Sequence, residues 1–179
     1  MQTIDEVRDL VDIELLSLAG GYDADDAANN VRILNDIRKS VKDMGKGIYP
    51  KPEHIAEVAI AANENLQMRD FLLGLRIEKD IAEYSFNYLH YLGLVLKKEI
   101  CIPIAAVFST YIYELGQKDE ANRVLNEILA INPNYSLARL LQQFFSNDVP
   151  EEMMSEMANN LHDAVIRNIK GDLSDNNDN

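Results

Sequence analysis

Several residue types and patterns are scarce in this chain of 179 residues, and each absence excludes a class of protein. Tryptophan is absent, and a single cysteine, Cys101, leaves no partner for an internal disulfide. One unpaired cysteine fits a reducing compartment, and its place in the run Ile-Cys-Ile-Pro favours a core residue over a reactive thiol. The chain is therefore not a small domain stabilised by disulfides.

Long apolar runs are missing as well. The longest nearly uncharged stretch, residues 100–113, contains Pro103 and is shorter than the roughly 20 residues that cross a bilayer. Residues 1–18 are acidic and amphipathic, and they lack the basic and apolar regions of a signal peptide. We therefore expect no membrane partner and a cytoplasmic location.

Basic residues are few, since 17 Lys and Arg face 30 Asp and Glu, which gives a net charge of −13. The acidic excess lies at the two ends, residues 1–30 and 147–179, while residues 31–146 are balanced. Binding to nucleic acid or to anionic lipid requires a basic surface, so neither is expected. We interpret the acidic ends as solvated helix faces, and the alternative is a docking surface for a basic partner.

Helical signals cover the remaining sequence, and no segment has the pattern of a strand. Thr3 and Glu6 have the spacing of a capping box, and Gly20 follows the first apolar pattern as a stop signal. The acidic run at 23–26 predicts an N-cap and first turn, because the EF-hand spacing for calcium is missing. The predicted fold is all-α, an antiparallel helical bundle or short α-solenoid of about seven to nine helices.

Glycine and proline concentrate at residues 45–52, which therefore cannot lie inside a helix. We predict a boundary there, with an N-terminal acidic helical hairpin at 1–46 and a main helical domain at 47–171. Residues 172–179 have almost nothing to bury and are predicted to be a disordered tail.

Residues 81–96 form the most apolar predicted helix. A helix without a polar face is either buried centrally or used as an interface, so a homodimer through this helix is one expectation. His90 lies within it, and we interpret it as a hydrogen-bonded core residue, because no metal-ligand spacing accompanies it.

Residues 102–145 predict three helices joined by short loops. Pro103 is expected in a first helical turn, where its missing N–H is not needed, and Gly116 is expected to end that helix. Residues 132–134, Asn-Pro-Asn, end the next helix. A last amphipathic helix follows, with an apolar side predicted at Met154, Met157, Leu161, Val165 and Ile169.

Residues 102–135 resemble one tetratricopeptide unit, whose repeat is 34 residues long. With Pro133 as the closing proline, Gly116 takes the turn glycine, Ala121 the small residue of the second helix and Leu125 the apolar residue after it. The sequence departs from that pattern at Ala105, Ser109, Ile112 and Ile128. No second copy follows, so the resemblance implies one tetratricopeptide-like hairpin rather than an array.

A second resemblance covers about residues 50–150. The residues that carry it are Arg69, Asp70, Leu72, Leu73, Gly116, Ala121, Leu125, Leu129, Pro133, Tyr135, Leu137, Ala138, Leu140 and Leu141. In this pattern the chain is similar to the C-terminal helical half of an actinobacterial family known as domain of unknown function 4192. The resemblance implies that the chain is part of a longer protein, and it brings no assigned activity.

The sequence predicts no catalytic, cofactor-binding or metal-binding residue. His54, His90 and His162 are far apart, and no nucleophile motif accompanies them. A protein-interaction or scaffold module is the leading hypothesis. Tyr111, with Phe108 and Ile112, is then a candidate for lining a groove, unless all three are core residues. Two further hypotheses are a homodimeric structural domain and the helical half of an enzyme whose site needs a missing N-terminal part.

Overall fold

The protein is described by a computed structural model that covers residues 2–147 and 149–171. Over these residues the chain forms nine α-helices and one 3₁₀ turn and no β-strand, which confirms the all-α prediction. The helices are α1 (Ile4–Leu18), α2 (Ala27–Met44), α3 (Pro52–Glu64), α4 (Leu66–Gly74), α5 (Ala82–Val95), α6 (Lys98–Glu114), α7 (Lys118–Ile131), α8 (Ser136–Ser146) and α9 (Glu152–Lys170), with the 3₁₀ turn at Leu75–Ile77.

Side-chain hydrogen bonds cap the starts of α1 and α2 where the sequence signals predicted. The amide of Glu6 donates to Thr3 Oγ1 at 3.2 Å, and the amide of Thr3 donates to Glu6 Oε2 at 2.8 Å, which completes the capping box. Asp26 caps α2 by accepting from the amide of Asn29 at 3.0 Å. Gly20 follows α1 with a φ of +78°, a conformation that favours glycine.

Helix α6 begins earlier than predicted. It starts at Lys98, so Pro103 lies inside the helix rather than in its first turn. The proline ring removes a single N–H, the one that would have bonded to the carbonyl of Glu99 four residues earlier. The buried neighbours Cys101 and Ile104 offset this loss, because their packing holds the helix across the proline.

Helix α6 also joins the two hydrophobic clusters of the fold. Its residues Ile104 and Tyr111 belong to the larger cluster, which draws on α1 to α6 and on α9. Its residues Ala106 and Tyr113 belong to the smaller one, which draws on α6 to α9. The packed centre of the domain is therefore α6, with one cluster on each side.

The turn after α6 is a Schellman motif. Gly116 has a φ of +77°, and its amide donates to the carbonyl oxygen of Tyr113 at 2.9 Å. The amide of Gln117 donates to the carbonyl oxygen of Ile112 at 3.2 Å. The short turn returns α7 along α6, and these two helices pack closely. This hairpin lies where the tetratricopeptide-like unit was expected, but its membership of that class stays a prediction.

The two N-terminal helices contribute to the larger cluster. Helix α1 packs on α3 and α5, and α2 packs on α3, α5 and α9. The predicted boundary at residues 46 and 47 stays a prediction, although the hydrophobic cluster continues across it. The predicted tail at 172–179 lies outside the described residues.

Candidate functional site

Helix α5 is buried along one side only. Its inward residues, all buried, are Ser85, Tyr88, Leu89, Leu92 and Val95. On its other side Asn87, His90 and Leu94 are exposed, while Tyr84 and Tyr91 are partly exposed. The expectation that His90 is a core residue is therefore wrong, because the rotation of α5 on the core turns this residue outward.

A hydrogen bond between Tyr88 and His54 fixes α5 against α3. Tyr88 is fully buried, and its hydroxyl lies 3.0 Å from Nε2 of His54. Burial raises the pKa of the Tyr88 hydroxyl, so this group keeps its proton and donates it. Nε2 of His54 is then the acceptor, and burial lowers the pKa of His54, which favours the neutral ring.

The loop between α2 and α3 adds one aromatic ring to the outer side of α5. Gly47 has a φ of +78°, and the buried Pro50 anchors the segment. Between them Tyr49, which is 50% exposed, lies with its ring centroid 4.9 Å from that of Tyr91, at an interplanar angle of 48°. The glycine and the proline therefore position Tyr49 on α5.

Helix α6 contributes aromatic contacts at the opposite edge of the same strip. The ring of Phe108 stacks on His90 with centroids 5.7 Å apart and an interplanar angle of 16°. Phe108 also packs on Phe86, at a centroid distance of 4.9 Å. We name the exposed strip formed by Tyr49, Tyr84, His90, Tyr91 and Leu94 the α5 surface.

Three adjoining cavities open along the α5 surface. The central one, of about 240 Å³, is lined by Met44, Tyr49, Tyr84, Asn87, His90, Tyr91 and Leu94. A second, of about 570 Å³, extends to the start of α1 and shares Tyr49, Tyr91 and Leu94. A third, of about 260 Å³, lies between α5, α6 and α7 and shares His90 and Leu94. The shared residues place the three cavities next to one another along α5.

Charged side chains stand at the margins of this region. The residues that line the central cavity include no Asp, Glu, Lys or Arg. At the third cavity Arg123 is paired with Glu120 and Glu127, and Lys98 lies 3.4 Å from Glu127. The α5 surface is therefore an uncharged area on a strongly acidic protein.

The tyrosine named as a groove candidate is buried, in agreement with the alternative that it is a core residue. Tyr111 is 5% exposed, its hydroxyl donates to the carbonyl of Leu72 at 2.9 Å, and the guanidinium carbon of Arg76 lies 3.6 Å from its ring centroid. Ile112 is buried too and Phe108 is partly exposed, and both line the third cavity. Tyr111 and Ile112 are thus core residues, because α6 passes through the centre of the domain.

The described core contains a polar cluster that the sequence pattern did not predict. Glu78 accepts two hydrogen bonds from Arg38, both of 2.7 Å, and its Oε1 lies 2.8 Å from Nε2 of His162. His162 is 6% exposed, and its ring stacks on Phe71 at 5.6 Å. The buried side of α9 runs through Met154, Ala158, His162, Val165 and Ile169. The predicted apolar side is right at Met154, Val165 and Ile169 and wrong at Leu161, which is 47% exposed. His162 is buried instead, because the carboxylate of Glu78 makes histidine acceptable in the core.

The polar cluster lies away from the cavities of the α5 surface, whereas Cys101 lines the third of them. His162 lines none of the three cavities of the α5 surface. The cluster connects α2 to α9, because Glu78, which follows the 3₁₀ turn, bonds to Arg38 and lies next to His162. Cys101 is 5% exposed, and burial raises the pKa of its thiol to about 12, as its apolar setting suggested. Among the described residues no group of three or more His, Cys, Asp or Glu is arranged to hold a metal ion. None of the described helices is both long and apolar enough to cross a membrane.

The chain matches no protein-family model, and neither the curated proteins nor the solved structures contain a significant match to it. The resemblance to the actinobacterial family of unknown function therefore stays a prediction. The homodimer and enzyme hypotheses also stay predictions. The proposal of a function therefore rests on the geometry of the α5 surface.

Proposed function

We propose that the protein is a protein-interaction domain that binds a basic polypeptide partner through the α5 surface. The observation that carries the proposal is the row of three adjoining cavities along α5, of which the central one is lined by aromatic rings. Exposed aromatic and apolar side chains that cluster in this way are typical of binding surfaces, whereas isolated exposed apolar residues are ordinary.

The α5 surface has the composition of the centre of an interface. Tyrosine provides a large, rigid contact area and a polar hydroxyl, and interface centres are enriched in it and depleted of charged residues. Tyr49 is half-exposed, and Tyr84 and Tyr91 are partly exposed, beside the exposed Leu94. The contact between the rings of Tyr49 and Tyr91 orders them before any partner binds, which lowers the entropic cost of association.

The charge of the protein favours a basic partner. With a net charge of −13, the chain attracts cationic polypeptides over a distance comparable to the Debye length, roughly 8–10 Å at physiological ionic strength. The same charge opposes the association of two copies. We therefore assign the surface to a different, basic polypeptide rather than to a second copy of this chain.

Photo-crosslinking from the centre of the surface tests this proposal. A benzophenone amino acid replaces Leu94, and in a matched control it replaces Leu140, which is 61% exposed on α8 and lines none of the three cavities. We expect a discrete crosslinked product from residue 94 and none from residue 140. The partner is then identified by mass spectrometry and purified.

Binding of the purified partner provides the quantitative test. We expect Leu94→Asp to weaken binding at least tenfold and Leu140→Asp to leave it unchanged, with circular dichroism showing that both variants are folded. Equal crosslinking from the two residues, or equal affinity of the two variants, contradicts the proposal. A crosslink between two copies, with a dimer in sedimentation, overturns it in favour of a homodimer.

A further inference from the structure

We propose that the central cavity of the α5 surface is an aromatic cage that binds the ammonium group of a lysine side chain on the partner. That the ammonium group comes from a partner protein rests on the proposed function. That the cavity binds an alkylammonium ion does not depend on it. The cavity measures about 240 Å³, which is smaller than the roughly 300–1,000 Å³ of pockets for drug-sized ligands. Its size suits one side chain.

Three tyrosine rings form the walls of this cavity. The planes of Tyr49 and Tyr91 are inclined at 48°, with centroids 4.9 Å apart, so the two rings form a corner rather than a flat stack. Tyr84 lines the same cavity from one end of α5. The face of an aromatic ring carries partial negative charge, and several rings around one cavity attract a cation that has left water.

Gly45 holds the ring of Tyr84 in place. A Cβ atom at residue 45 would lie 2.6 Å from Cζ of Tyr84, so the ring rests directly on the backbone of the glycine. The backbone at Gly45 has φ −60° and ψ −18°, which any residue adopts. Glycine is therefore needed here for the room that it leaves to Tyr84, not for its conformational freedom.

The charges around the cavity are mixed, since Lys39, Lys51 and Asp43 line the neighbouring cavity that shares Tyr49. Among the described residues, the side chains that line the central cavity include no lysine or arginine, so none of these cations occupies the rings. The Glu83 carboxylate beside Tyr84 raises the pKa of the Tyr84 hydroxyl, which places a negative charge next to the cage. The protein as a whole carries a net charge of −13. A lysine ammonium is the cationic group that a basic polypeptide offers in a compact form.

Calorimetry with two blocked amino acids separates cation recognition from simple apolar filling. The probes are Nα-acetyl-lysine amide and its neutral isostere, in which a methyl group replaces the ammonium group. We expect the cation to bind at least tenfold more tightly than the isostere, because only the cation gains from the ring faces. Equal binding of both probes, or binding of neither, overturns the cage.

Variants locate the binding of the cationic probe. We expect Tyr49→Ala, Tyr91→Ala and Gly45→Ala each to weaken it at least tenfold, and Tyr91→Phe to preserve it, because phenylalanine keeps the ring face. The control is Leu140→Ala. Loss of binding in Tyr91→Phe as severe as in Tyr91→Ala would assign the effect to the hydroxyl and overturn the cage.

The identity of the ammonium group is tested with the crosslinked partner. Each lysine near the crosslink is replaced by methionine, and we expect one replacement to weaken binding at least tenfold. If the free probe binds but no lysine replacement has an effect, the cage stands and lysine is the wrong source. If the probe fails while crosslinking from residue 94 succeeds, the proposed function stands and the cage is wrong.

Discussion

His162 on the last helix lies 2.8 Å from the carboxylate of Glu78, which is 84 residues earlier in the chain. Arg38 on α2 donates two hydrogen bonds to the same carboxylate. Burial alone would raise the pKa of Glu78, but hydrogen bonds from His162 and Arg38 hold it below its usual value. The free energy of unfolding therefore depends on the ionisation of this one side chain.

The pKa of Glu78 predicts a loss of stability in acid. Its folded-state pKa lies below the unfolded value of about 4.3, so its contribution is present above about pH 4.3 and is lost as the pH falls through the folded pKa. Glu78→Gln should reduce the free energy of unfolding at pH 7 by about 2 kcal/mol and flatten its decline in acid. Urea unfolding at several pH values below pH 6 measures both effects. An unchanged acid profile in the variant contradicts this prediction.

The stability of the protein should depend strongly on the lack of a side chain at Gly74. A Cβ atom at residue 74 would lie 1.8 Å from Nδ1 of His162, so Gly74→Ala should destabilise the protein by roughly 3 kcal/mol. The double variant with His162→Ala should show a favourable coupling energy, because the shortened side chain leaves room for the methyl group.

Gly93→Ala is the matched control. No atom lies within 4 Å of a Cβ atom at residue 93, so the helix propensity of alanine should stabilise α5 by up to about 1 kcal/mol. Equal effects of the two alanine substitutions would refute the steric argument.

His54 predicts a second, milder dependence of stability on pH. Burial lowers its folded-state pKa below the unfolded value of about 6.5, so between these two values the unfolded chain binds more protons. The free energy of unfolding should therefore fall as the pH drops from about 7 towards 5. Denaturation of His54→Gln over the same range should show a smaller fall. Parallel profiles for the two proteins would mean that another group is responsible.

The hydroxyl of Tyr88 should contribute to stability through its contact with His54. Tyr88→Phe removes the donor to Nε2 of His54 at 3.0 Å and leaves a buried acceptor without its partner. We expect a loss of about 1–2 kcal/mol in chemical denaturation at pH 7.5. Tyr84→Phe, which removes a hydroxyl from a partly exposed ring, is the control and should change stability little. A neutral effect of Tyr88→Phe would show that water replaces the hydroxyl.

Cys101 should react with thiol reagents only after the protein unfolds. Burial and the pKa of about 12 leave almost no thiolate at pH 8. We expect labelling by a maleimide to be slow in buffer and complete in denaturant, as followed by mass spectrometry. Rapid stoichiometric labelling of the native protein would contradict the burial of this thiol.

The ends of the helices could be predicted from the sequence because their hydrogen bonds join residues a few positions apart. Thr3 with Glu6, Asp26 with Asn29 and the turn glycine Gly116 act within one turn of the chain, so their signals are local. The burial of Cys101 followed from its apolar neighbours in the same way. Pro103 was placed one turn too early in its helix, because the packing that supports α6 around the proline comes from distant residues.

Tertiary packing decided which residues are buried and which are available for binding. Apolar periodicity does not set the rotation of an almost wholly apolar helix such as α5, and so His90 was predicted inside although it is exposed. His162 was overlooked because its carboxylate partner comes from a distant segment. The central cavity likewise combines Tyr49 from a loop with Tyr84 and Tyr91 from α5. The sequence alone determined an acidic all-α protein and the ends of most of its helices. Only the folded chain brings together side chains that lie far apart in the sequence, because their spacing does not predict that they are in contact.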